Sequence, residues 1–159
     1  MPDVEEYLKS NGIEFVRHEH PAIFTMADEE KYCPHIPGVA GKNLVIKGKK
    51  TGRIFLVILA TAKRADLKKF AKIAGESKIS FAGPEILREK LDLEPGSVSP
   101  FGLINDKNHE IFVYIDKELY ETDLLNFHPN INTASLEITK EMFRKFLELL
   151  QNKIEIIEL

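Results

Sequence analysis

The chain has one cysteine, Cys33, and no tryptophan. A single thiol closes no intrachain disulfide and builds no thiolate metal cluster, so a reducing, cytoplasmic setting is expected. Long apolar runs are also missing: the longest, Ile54 to Ala60, falls far short of the roughly 20 residues that span a bilayer. The N-terminal stretch Met1-Pro2-Asp3-Val4-Glu5-Glu6 is acidic and polar, unlike a secretory signal. Positive charge is short overall. The net charge of −3 argues against a generally basic nucleic-acid binder. There is no phosphate-binding loop ending in Lys-Ser/Thr, no dinucleotide fingerprint and no serine elbow. His18, His20, His35 and His109 are scattered without metal-ligand spacing. No metal and no cofactor is expected.

What is present describes one globular unit. At 159 residues, with 43% hydrophobic and 30% charged, the chain suits a single domain, 1–159, with one core. The charges are unevenly spread. From Lys42 to Lys72 there are ten cations (Lys42, Lys47, Lys49, Lys50, Arg53, Lys63, Arg64, Lys68, Lys69, Lys72) against one anion, Asp66. A local basic surface of this kind binds phosphates even on an acidic protein; it also describes a solvated face around a hairpin and a helix.

Periodicity places the elements. Helices are expected over 2–11, over 26–33 behind a Thr25 cap, over 66–74 ending at Gly75, over 84–91 with Pro84 in the first helical position, and after a Thr139 cap. Strands are expected at 13–18, at 44–46 and 54–60 around a 47–53 hairpin, and at 78–82. Others are expected at 101–104 and 111–115, at 124–127 and 133–138, and at 154–159. The apolar 54–60 segment should be buried on both faces. About eight strands with irregularly interspersed helices imply an α+β or mixed α/β fold around one curved, largely antiparallel sheet.

Three segments could carry chemistry. Gly96-Ser97-Val98-Ser99-Pro100-Phe101-Gly102 is a loop whose glycine lets backbone approach a ligand, and whose N–H groups could converge on an oxyanion. Glycine loops are also ordinary turns. Lys42, after Gly41, is a compact three-donor cation suited to phosphate or a developing oxyanion, or a plain solvated charge. Asn43 beside it could orient a substrate or stabilise a turn. His128, before Pro129 and close to Asn132 and Thr133, could be a general base or a strand-end histidine bonded to backbone. Lys68, Lys69 and Lys72 share one face at helical spacing. Cys33 has no paired base at a recognisable spacing.

Taken in order, His20-Pro21-Ala22-Ile23-Phe24-Thr25, Lys42-Asn43-Leu44, Lys63-Arg64-Ala65-Asp66-Leu67, Ser80-Phe81-Ala82-Gly83-Pro84-Glu85, Gly96 to Leu103, and His128-Pro129 with Asn132-Thr133-Ala134 resemble the YbaK/prolyl-tRNA-synthetase editing-domain superfamily. Within it they are most similar to the free-standing prolyl-tRNA deacylases. Two positions depart from the pattern: Asn130 stands where leucine is expected and Ser135 where threonine is expected. The resemblance implies an editing fold of the same mixed kind. It also implies trans-hydrolysis of a mischarged aminoacyl-tRNA(Pro), chiefly alanyl-tRNA(Pro). Lys42 would anchor the substrate, and Gly96, Ser97, Val98 and Ser99 would stabilise the oxyanion. Phe24, Thr25, Asn43, Pro100, Phe101, His128, Pro129, Asn132 and Thr133 would line the aminoacyl pocket. Lys47, Lys63, Arg64, Lys68, Lys69 and Lys72 would meet the tRNA. The implied partners are the acceptor end of tRNA(Pro) and prolyl-tRNA synthetase, with no membrane. A cysteinyl-tRNA(Pro) deacylase and a non-catalytic sensor of tRNA or aminoacyl-adenosine are the alternatives.

Overall fold

A computed structural model describes residues 3–159, except the side chain of Met26. The expected start of the first helix at Pro2 lies outside them. In chain order the elements are α1 (Val4–Ser10), β1 (Val16–Glu19), α2 (Met26–Tyr32), β2 (Val39–Gly48), β3 (Ile54–Ala60), α3 (Leu67–Ala74), β4 (Ile79–Phe81) and α4 (Pro84–Leu91). A 3₁₀ turn (Pro100–Asn105), β5 (Phe112–Asp116), α5 (Lys117–Tyr120), β6 (Leu124–Phe127), β7 (Ala134–Thr139), α6 (Lys140–Leu149) and β8 (Ile154–Ile157) follow.

The strands form one sheet in the order β1-β7-β6-β2-β3-β5-β8, with β4 also paired to β2. The β1–β7, β2–β3, β2–β4 and β6–β7 pairings are antiparallel, and β2–β6, β3–β5 and β5–β8 are parallel. This is the expected mixed α/β sheet with interspersed helices. β3 is central and covered on both sides. Leu56 and Ile58 join the larger core with α1, α4 and α6, while Phe55, Val57 and Leu59 pack with Phe70 of α3 and Tyr114. That is why the 54–60 run is apolar without alternation.

The caps read from the sequence are present. Asp66 accepts from the Lys69 N–H, Thr139 from the Met142 N–H, and Thr25 forms a reciprocal capping box with Asp28. Several expectations are corrected. The strand placed at 101–104 is the 3₁₀ turn: Pro100 sets the first φ, and the Ser99 hydroxyl accepts the Phe101 N–H. The first strand lies at Val16–Glu19, later than 13–18, and Ile13 is a core residue of the preceding loop. β2 begins at Val39, so Lys42 lies inside a strand and not at its start. α5 had no counterpart among the expected helices.

Candidate active site

β2 organises the site because its two edges are used differently. One edge pairs with β3 from Gly41 to Lys47. The other takes β6 at Val39 and Ala40 and β4 from Ile46 to Gly48, leaving a gap between them. The Ala40 carbonyl accepts the Thr61 N–H on the β3 side, and the Val45 carbonyl accepts the Ala82 N–H on the β4 side. By the alternation of an antiparallel ladder, the main-chain groups of Gly41 and Asn43 therefore face the gap. Gly41 is required there. An added Cβ would lie 2.1 Å from Phe127 Cε1, so only glycine lets the ring of β6 close against β2.

The gap opens into a cleft of about 460 Å³, within the ordinary range for a small-molecule site. Gly41 to Val45 line it from β2, and Ile23, Phe24, Thr25 and Glu29 from the loop and helix above. Phe81, Ala82 and Leu87 form one wall, Pro95, Gly96 and Val98 a second, and Asn126, Phe127, His128 and Ser135 a third. The loop before α2 is tied to the β6–β7 turn: the His20 N–H donates to Thr133 O, the Ile23 N–H to Asn132 O, and the Asn132 amide to Ile23 O.

Lys42 is the one lysine or arginine in this lining. Burial lowers its pKa below the ordinary lysine value. Beside it, Asn43 Oδ1 is buried with no hydrogen-bond partner among the described residues. The His128 Nδ1–H donates to Ala134 O at 3.0 Å, which leaves Nε2 as an acceptor. Burial pushes the His128 pKa down, against the opposing effects of that bond and of Glu29; His20 adds to the fall.

The structure brings Phe24, Thr25, Lys42, Asn43, Gly96, Val98 and His128 to one cleft. Other candidates sit elsewhere. Ser97 donates its N–H to Glu94 O. Ser99 is fully buried and its hydroxyl donates to Asn130 Oδ1 at 2.8 Å. Phe101 packs edge-on against Phe127 and Phe146 in the core, with Pro100 buried next to it. Pro129, Asn132 and Thr133 shape the turn behind the cleft without lining it. Asn130 adopts φ +63°, a conformation asparagine tolerates far better than leucine, and its amide ties this turn to the glycine loop.

The basic segment divides. Arg53 is bound to buried Glu76 and lies over the Phe55 ring. Lys63 reaches Asp116 at 2.8 Å and Glu118 at 3.2 Å. Lys68, Lys69 and Lys72 are exposed on α3, Arg64 is exposed in the loop before it, and Lys47 is half-buried beside Ser80 of β4. Cleft residues not singled out from the sequence include Glu29, Thr61, Phe81, Leu87, Asn126 and Ser135. Of these, Phe81 and Ser135 did carry a signal: the first falls in a family-like segment and the second departs from the pattern.

A family model, the aminoacyl-tRNA editing domain, matches residues 20–146. The prolyl-tRNA editing protein ProX of Acetoanaerobium sticklandii is 32% identical over 147 residues, covering 92% of this chain and 90% of ProX. The prolyl-tRNA synthetase associated domain-containing protein 1 of Danio rerio is 32% identical over 152 residues, covering 94% of this chain and 82% of that protein. A crystal structure described as a candidate trans-editing enzyme for prolyl-tRNA synthetase superposes with a TM-score of 0.72 at 22% identity, covering 100% of this chain and 98% of that one, and shows the same fold. The chain belongs to the aminoacyl-tRNA editing domain family, ester hydrolases that deacylate aminoacyl-tRNA.

Proposed function

We propose that this protein hydrolyses mischarged aminoacyl-tRNA(Pro) in trans, with alanyl-tRNA(Pro) as the principal substrate. The observation that carries the reading is the cleft in the β2 gap, with Lys42 as its one lysine or arginine and apolar walls around it. ProX, similar along nearly the whole chain, is named for prolyl-tRNA editing. The whole chain, 1–159, acts as one editing domain, because Val4 and Leu8 of α1 and Ile154 of β8 pack into the same core as the matched segment.

An aminoacyl ester is already activated, so the protein mainly positions it and stabilises the tetrahedral oxyanion. Lys42 anchors the polar end of the substrate, at the terminal phosphate or the ester carbonyl, with Asn43 orienting the ribose. Gly96 and Val98 line the cleft wall, and their N–H groups donate to no protein acceptor among the described residues. They are the proposed oxyanion donors; the Ser97 N–H is engaged by Glu94. A water oxygen attacks the ester carbon, assisted by the free ribose hydroxyl of the substrate. The bond from that carbon to the ribose oxygen breaks, the proton passes to the departing oxygen, and free amino acid and tRNA result. Phe24, Thr25 and His128 bound the side-chain end, and proline is rejected by size.

The exposed lysines of α3 with Arg64 meet acceptor-stem phosphates. Lys63 serves this indirectly, by fixing the loop that carries Thr61 to Asp116.

The test is release of labelled amino acid from alanyl-, cysteinyl- and prolyl-tRNA(Pro). Fast loss of alanine with proline spared supports the reading. Cysteine lost faster than alanine moves the substrate to the thiol amino acid, and survival of all three esters ends the enzymatic assignment.

A further inference from the structure

One end of the cleft is chemically one-sided. His20 is buried, and its Nδ1 lies 2.8 Å from the Pro21 carbonyl. A carbonyl only accepts, so Nδ1 carries a proton, and in the imidazole tautomer this bond selects, Nε2 offers a lone pair. That nitrogen is 2.9 Å from Ser135 Oγ, so the Ser135 hydroxyl donates to His20. With its one proton committed, Ser135 presents only lone pairs to the cleft. The same logic holds at His128, where the Ala134 carbonyl takes the Nδ1 proton and Nε2 is left as an acceptor. Burial keeps that ring neutral. Above both stands the half-buried Glu29 carboxylate, close enough to act electrostatically on His128.

Two acceptors held in that role by backbone carbonyls, beside a carboxylate, match a group that only donates and carries positive charge. We infer that Ser135, His128 and Glu29 form a subsite for the protonated α-amino group of the aminoacyl ester, and that His20 is the positioning residue that makes Ser135 an acceptor. This deepens the deacylase reading above and rests on it. It fixes the substrate's direction: ammonium toward Ser135 and Glu29, ester carbonyl toward Lys42. It also gives a chemical reason to favour a primary ammonium, with three N–H donors, over the secondary ammonium of proline, with two.

The experiment compares alanyl-tRNA(Pro) with lactyl-tRNA(Pro), in which a hydroxyl replaces the ammonium at nearly the same size. Each catalysed rate is divided by the uncatalysed rate of the same ester at the same pH, because the ammonium activates the ester by itself. The acceleration should favour the alanyl ester about tenfold or more, the ratio expected from a charge-assisted hydrogen bond. Glu29→Gln, an isosteric change on a half-buried side chain, should cut that ratio severalfold. Ser135→Ala and His20→Ala should do the same, and Ser135→Thr should restore it. Equal acceleration of both esters by the wild-type protein overturns the subsite, as does an unchanged ratio in Glu29→Gln, while the deacylase reading stands. No acceleration of either ester overturns the deacylase reading and the subsite with it.

Discussion

His128 shows how much one hydrogen bond decides. From the sequence it reads first as a strand-end histidine bonded to backbone and second as a base, and it has the backbone bond while still reaching the cleft. Burial, the largest cause, holds its pKa below the ordinary value of about 6.5. Above that value the ring is neutral in both folded and unfolded chains and adds no pH dependence. As pH falls through it, the unfolded chain takes a proton that the folded one refuses, so stability is lost until the folded value is reached. Denaturant midpoints should therefore fall as the pH drops below about 6.5 in the wild-type protein, and His128→Gln should flatten that slope. Equal slopes in the two proteins would remove His128 from the acid response. Lys42 and Asn43 were legible as site candidates through the resemblance, since a lysine next to an asparagine recurs at Lys107-Asn108 and by itself reads as a solvated charge beside a turn amide. Ser135 was visible only as a departure from a pattern, because its partner His20 stands 115 residues away in sequence. Ser99 shows the reverse: it was singled out with the oxyanion loop, but the residue is fully buried and its hydroxyl caps the 3₁₀ turn.

At the scale of elements, β2 does the most. Its C-terminal half was legible as a hairpin strand because Val45 and Ile46 pair with apolar β3 across a glycine turn. Its N-terminal half was not, since Val39 to Asn43 reads as loop composition and is held extended by β3 and β6 only in the folded sheet. Such tertiary override is common for strands. The 3₁₀ turn was missed for a related reason, because Phe101 to Ile104 has strand-like composition while Ser99 and Pro100 impose the turn. The gap in β2 makes Gly41 the position where the element is most sensitive. Gly41→Ala drives a Cβ into a core ring and should cost about 2 kcal/mol or more, with deacylation falling as the cleft floor shifts. Chemical denaturation and the deacylation rate together check this; an unchanged midpoint would mean that Phe127 yields freely.

The whole molecule is weakly acidic yet carries a cationic surface on α3. That surface can be tested apart from stability. Lys68 and Lys69 lie in the first turn of α3, where acidic residues suit the helix dipole, so reversing both to glutamate should leave the fold intact. KM for aminoacyl-tRNA should rise and its salt dependence should weaken, with kcat little changed. If neither moves, the face is solvated only. The mixed sheet was legible as a class because each strand carries its own pattern. Its order was not, because the parallel β3–β5 and β5–β8 neighbours are joined through helices and loops with no local signal. We place deacylation in the cleft at β2, with Lys42 as its anchor. Single-turnover hydrolysis of alanyl-tRNA(Pro) by wild-type and Lys42→Ala protein tests it most directly. The wild type should release alanine rapidly and the variant should be slower by about a hundredfold or more, with both equally stable. Equal rates would contradict it and place the chemistry elsewhere on the protein.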